Sequence, residues 1–197
     1  MCHRNPHLAA VVGACALLAA GAAHAVPFTV QALANSSSGG TGLATLALTA
    51  GQSFSVSAGA DDLWSAGALP RFSNANGLTG NRFATGSDES GQPAGTLIGQ
   101  NFGTLALAGL SAPFGTLVGR IDSGAYFVVG TSFSGVASTS GTLNLFYWDS
   151  NAADNTGSVV ANVALTSPVP EPDIAALMLA GLGALGALTR RRRAMPR

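Results

Sequence analysis

From residue 28 to 166 apolar and polar positions alternate in short runs, and no stretch sustains a helical period. "SFSVSAG" (53–59) alternates strictly, as a strand with one buried face does. "TLVGRI" (116–121), "AYFVVG" (125–130), "TLNLFYW" (142–148) and "SVVANVALT" (158–166) follow, with Gly, Ser and Asn turn residues between them. "FTVQALA" (28–34) and "LATLALT" (43–49) read as earlier strands. The pattern predicts an all-β domain, a β-sandwich or jelly roll. Its expected core includes Phe54, Phe114, Phe127, Phe133, Leu143, Leu145, Tyr147 and Val163. Residues 65–95 are rich in Gly, Asn and Ser and carry little pattern, so they read as a long surface loop and a candidate functional face.

The two ends follow other rules. After Arg4 comes the apolar run "LAAVVGACALLAAGAAHA", closing on Ala23-His24-Ala25. A basic start, an apolar centre and a small-x-small ending read as a secretory signal peptide over residues 1–25, cut after Ala25. A buried helix or membrane anchor is one alternative. Lipidation at Cys15 is another, but it would leave the apolar "ALLAAGAA" at the mature N-terminus. At the far end, Pro168, Pro170 and Pro172 keep the chain extended ahead of an apolar run from Ile174 to Leu188. That run is short against the ~20 residues of an ordinary spanning helix. Arg190, Arg191, Arg192 and Arg193 follow it and would stay on the cytoplasmic side. The expected organisation is a signal helix (1–25), a β domain (26–167) and a C-terminal segment with a transmembrane helix (168–197).

Charge narrows the functions open to the middle region. Only 9% of residues are charged and there is no Lys. Between 26 and 167, Arg71, Arg82 and Arg120 face seven carboxylates, a net of −4, which excludes a phosphate-binding surface and nucleic acid as a partner. Every His and Cys lies in the first 25 residues. Imidazole and thiolate catalysis, His/Cys zinc sites and disulfides are therefore unavailable to the β domain. The adjacent acids Asp61-Asp62 and Asp88-Glu89 could in principle serve carboxylate catalysis. Their Gly/Ser/Ala surroundings read better as loop charge, and the expectation is a protein that is not an enzyme.

One loop carries candidate chemistry. In "FYWDSNAADNTGS" (146–158), Asp149, Asn151, Asp154 and Asn155 bring four oxygen-bearing side chains within seven residues. Calcium takes six to eight oxygens at about 2.3–2.6 Å, and a tight loop can supply several. On the residues alone, a turn whose Asp and Asn side chains bond their own backbone is the simpler account.

Two resemblances add to this. Val169-Pro170-Glu171-Pro172, the apolar run and the arginine cluster, in that order, resemble the PEP-CTERM sorting signal of Gram-negative bacteria. The resemblance implies export by the secretion machinery and signal peptidase, then tethering in the inner membrane by the C-terminal helix. An exosortase-type membrane protease would next act at the Pro-Glu-Pro motif, leaving the protein at the cell surface or outside, often among exopolysaccharide and biofilm. The stretch 115–163, with 51–64 before it, resembles the small bacterial calcium-dependent galactose-binding lectins. That likeness implies calcium at Asp149, Asp154 and Asn155, a loop carbonyl at Ala152 and a further carbonyl at Leu63 or Trp64. The lectins' sugar-contacting His and Gln have no counterpart that can be placed here. The expected function is an exported, lectin-like module, with calcium-dependent polysaccharide binding. The alternative is a structural biofilm protein with no small ligand.

Overall fold

The computed structural model describes residues 24–166, together with Gly181 and Gly183. The leader ahead of His24, the Pro-Glu-Pro motif, the arginine cluster and the apolar run, apart from those two glycines, lie outside the described residues. Among the described residues no helix is long and apolar enough to cross a membrane.

The domain is all-β. Its strands are β1 (Ala25–Gln31), β2 (Leu43–Leu48), β3 (Ser53–Ala58), β4 (Trp64–Ser65), β5 (Phe72–Ser73), β6 (Arg82–Phe83) and β7 (Leu97–Gly99). There follow β8 (Thr104–Leu107), β9 (Leu110–Pro113), β10 (Leu117–Ile121), β11 (Phe127–Val128), β12 (Ser132–Val136), β13 (Gly141–Tyr147) and β14 (Thr156–Thr166). One sheet runs β12-β3-β14-β4-β5, with β1 also paired to β14, and a second runs β11-β10-β13-β2. Hairpins β6-β7 and β8-β9 form two small sheets.

β14 organises the first sheet. It pairs antiparallel with β1 from Gln31↔Ser158 to Ala25↔Ala164, and with β3 from Ala58↔Ala161 to Ser53↔Thr166. Its alternation works as the sequence implies: Val159, Ala161 and Val163 are buried, while Val160 between them is exposed. The main core draws on both larger sheets, with Val30, Phe54, Val56 and Val163 from one and Leu48, Leu117, Leu143 and Leu145 from the other. All eight expected core residues belong to it, with Phe114, Phe127 and Phe133 only partly buried at its border.

β13 is apolar on both faces towards its end because both faces are covered. Leu143, Leu145 and Tyr147 enter the main core. Phe146 and Trp148 enter a second cluster, roofed by Leu105 and Leu110 of the β8-β9 hairpin and by Tyr126. Arg120 lies across this cluster, 4.7 Å from the Phe146 ring and 4.9 Å from the Tyr126 ring.

The stretch 65–95 departs from the surface-loop expectation. Ala66, Ala75 and Leu78 are buried in the main core, and Ala84 joins Leu63 and Ile98 in a third cluster. Apolar residues spaced irregularly between turn residues give no periodic signal, yet these are buried. β12, "SFSGV", was also not expected; Gly135 interrupts its alternation. β1 begins three residues earlier than expected, at Ala25, so a cut there would remove only its first residue.

Candidate functional site

The acidic loop is a compact turn between β13 and β14. Asn151 caps a short 3-10 turn, Ala152–Asp154, by accepting a bond from the Ala153 amide at 3.2 Å. Its side-chain amide donates to Asp154 Oδ1 at 2.9 Å. The Asn155 amide donates to the Ala152 carbonyl at 3.2 Å. A strap from the β1–β2 connection holds the turn from the side: Ser37 Oγ donates to the Asp149 carbonyl at 2.9 Å, and Ser38 Oγ donates to the Ser150 carbonyl at 2.7 Å.

Two of the four expected ligand residues in this turn are taken out of water. Asp149 is 4% exposed and Asn155 is 3% exposed. Asp149 Oδ1 accepts the Ser150 amide at 2.8 Å. Burial pushes the Asp149 carboxyl above the ordinary carboxylate range; hydrogen bonds from the Ser150 amide, the Asn155 side chain and the Asn151 amide oppose this, and the Asp154 charge adds to it. Asn155 Nδ2 donates to the Ala32 carbonyl at 3.2 Å, whereas its Oδ1 is buried with no hydrogen-bond partner. Asp154 is exposed, with its Oδ2 3.9 Å from Arg71 Nη1.

Sequence order alone does not place the earlier strand here, but pairing does. β4 meets the start of β14 as Ser65↔Thr156 and Trp64↔Gly157. Gly157 has φ +81°, and a Cβ there would come 3.0 Å from Trp64 Cα and 3.2 Å from the Leu63 carbonyl oxygen. Only glycine combines that backbone with that approach. The backbone of Leu63 and Trp64 therefore runs directly beside the turn. The Trp64 side chain is fully buried, stands edge-on to Tyr147 with ring centres 4.5 Å apart, and donates Nε1 to the Gly115 carbonyl at 2.9 Å. Trp148 is fully buried too and donates to the Leu105 carbonyl. Neither indole is free to stack on a sugar.

The structure thus brings Asp149, Ala152, Asp154, Asn155 and the Trp64 backbone into one neighbourhood. Among the described residues no three His, Cys, Asp or Glu side chains converge as a group that could hold a metal ion. Sequence reasoning missed Arg71, the Ser37–Ser38 strap and two buried hydroxyls without partners, Tyr147 Oη and Ser73 Oγ. Both hydroxyls border the missing side chain of Gly115, where a Cβ would lie 2.6 Å from Ser73 Oγ and 3.3 Å from Tyr147 Oη. Burial, then the charges of Asp149 and Asp154, hold the Tyr147 phenol well above its usual range.

Two clefts lie nearby. One, of about 240 Å³, is lined by Ser73, Asn74, Asn76, Asn81 and Arg82 among others. The other, of about 360 Å³, is also lined by Arg82, with Asp61, Phe83, Asp88 and Glu89 in its wall. Asp62 accepts the Val160 amide at 2.6 Å. Asp88 binds the amides and hydroxyls of Thr85 and Ser90, and the Ser90 bonds, with those of Thr85, lower its pKa to about 2.

Comparison with known proteins adds an address. Residues 168–193 match the family described as the PEP-CTERM protein-sorting motif. That motif implies export, a membrane-anchored C-terminal sorting signal and processing by an exosortase, a membrane protein. No curated protein matches the chain. Among solved structures, the "EclA N-terminal domain; PllA-like lectin" is similar at 21% identity and a TM-score of 0.45, over 73% of this chain and 98% of that one.

Proposed function

We propose that this is an exosortase-sorted surface or matrix protein whose lectin-like β-sandwich, of jelly-roll type, binds carbohydrate through a calcium ion held at the Asp149–Asn155 turn. It is not an enzyme in this reading. The observation that carries it is Asn155 Oδ1, an acceptor buried without a donor and adjoining a buried carboxylate. An unmet buried acceptor costs about 1–3 kcal/mol, and a cation is the partner that would meet it and the carboxylate charge together.

The donor chemistry suits calcium, which prefers carboxylate, amide and carbonyl oxygens and can also take sugar hydroxyls as ligands. Asp149 and Asp154 would supply charge, Asn155 its amide oxygen, and Ala152 and Trp64 their carbonyls. The strap of Ser37 and Ser38 fixes the turn's backbone before any ligand arrives. The amide-lined cleft by Ser73 offers donors and acceptors in the mixture that sugar hydroxyls need.

A second reading is a structural biofilm protein that binds nothing small. It draws on Asp154, whose carboxylate already faces Asn151 and Arg71. Glycan-array binding of the exported domain with calcium, and again with chelator, separates the two. The first reading expects binding that chelator and Asp149→Ala both abolish. Absence of binding to any glycan at any calcium level leaves the second.

A further inference from the structure

The two ends of the described domain that lead to its processing sites lie side by side. β1 begins at Ala25, opposite Ala164, and β14 ends at Thr166, opposite Ser53. Ser53 in turn pairs with Val136, and Gly51 donates to the Ala137 carbonyl. The turns 49–52 and 137–140 therefore sit at the same end as both termini. Eight Cα–Cα steps, across the seven residues 167–173, lead from Thr166 to Ile174, where the apolar run of the sorting segment begins. Fully stretched, they reach at most about 28 Å.

The charges lie elsewhere. The turns 49–52 and 137–140 carry none, Asp122 beside them accepts the Thr142 amide, and Glu171 and Asp173 belong to the neck, which follows this end in any orientation of the domain. Asp61, Asp62, Asp88, Glu89, Asp149 and Asp154, against only Arg71 and Arg82, occupy the region from Val160 to the start of β14 and the loops around it. β14 is 11 residues long, about 35 Å at ~3.3 Å per residue. Asp62, bonded at Val160, thus stands six residues or about 20 Å from Thr166, and the Asp149–Asn155 turn lies beyond the far end of the strand, a separation of about two to four Debye lengths of about 8–10 Å each.

We propose that, before sorting is complete, the domain stands upright on the membrane: the charge-poor end with turns 49–52 and 137–140 faces the lipid surface, and the acidic end with the Asp149–Asn155 turn projects outward. The short neck limits how far the charge-poor end can leave the surface. Anionic headgroups penalise any tilt that brings six carboxylates down to them. The candidate site is then open to external polymer while the chain is still tethered. The orientation rests on the sorting motif and the strand register and does not depend on calcium binding.

Site-directed fluorescence quenching tests it. The full chain, with Cys2 and Cys15 changed to Ser, is placed in phosphatidylglycerol-containing vesicles without protease. It is labelled at Thr139→Cys or Ala153→Cys, and the lipid headgroups carry a spin label. The expected result is loss of emission at position 139 and none at 153. Ala50→Cys and Glu89→Cys form a second pair that should behave alike, should either first variant fold poorly. Equal quenching at both ends, stronger quenching at the acidic end, or none at any position would overturn the proposal.

Discussion

β14 and the turn that leads into it make opposite demands on the fold. Along Ser158–Ala164 the strand is hydrogen-bonded to β1, and its inward residues Val159, Ala161 and Val163 are fully buried with no polar atom on their side chains. At Asn155, before the strand begins, an amide oxygen is buried unmet, and the carboxyl of Asp149 is raised by desolvation. Folding alone accounts for the strand, because burial of apolar area and a complete ladder both stabilise it. In the turn most polar groups are bonded internally, but Asn155 Oδ1 gives up hydration with no hydrogen-bond partner. That contrast within one stretch of chain is what the proposed calcium site would resolve.

The contrast breaks most severely at Trp64, which joins the two regions. Trp64→Ala should cost about 3–5 kcal/mol through the cavity it leaves, beyond its lost bond to Gly115. Urea unfolding would show this as a large fall in midpoint. Gly157→Ala acts on the junction itself and should cost about 1–3 kcal/mol, since the left-handed backbone and the nearby Leu63 carbonyl both resist a Cβ. It should also weaken any calcium response by displacing the turn from β4.

Arg71→Ala sharpens the comparison without damaging the ladder. The pair with Asp154 is long and partly exposed, so stability should change by less than about 1 kcal/mol. Calcium affinity should rise, because a competing cation has left Asp154. Calorimetric titration of both forms would read the difference.

The smallest effect concerns Asp88, a carboxylate whose acceptors are all used, in contrast to Asn155. Its folded pKa, about 2, lies below the usual value near 3.8, so the ionised form supports the folded loop. That support is present above the unfolded pKa and is lost as pH falls through about 2. Asp88→Asn should therefore expose residues 85–90 to faster amide exchange at neutral pH, with the difference from the unaltered protein closing as pH drops from about 4 towards 2.

The strands were legible where alternation was strict: β2, β3, β10, β13 and β14 fall where the pattern put them. "AYFVVG" yielded only the two-residue β11, because Gly130 and its neighbours turn back towards Leu117. The burial of Ala75 and Leu78 was not legible, since isolated apolar residues between turns have no period. The clustering of Asp149, Asp154 and Asn155 could be read because those residues are close in sequence. Arg71, Ser37 and the orphaned Ser73 hydroxyl reach the same neighbourhood only through strand pairing, which no local pattern records.

Calcium titration followed by calorimetry, on the exported domain at neutral pH, tests the central claim most directly. The account predicts one saturable site per chain and a stabilisation of about 2.7 kcal/mol at calcium 100-fold above its dissociation constant. Both should vanish in Asp149→Ala. No binding heat and an unshifted unfolding transition at millimolar calcium would contradict it, and the turn at Asn155 would then be a structural element alone.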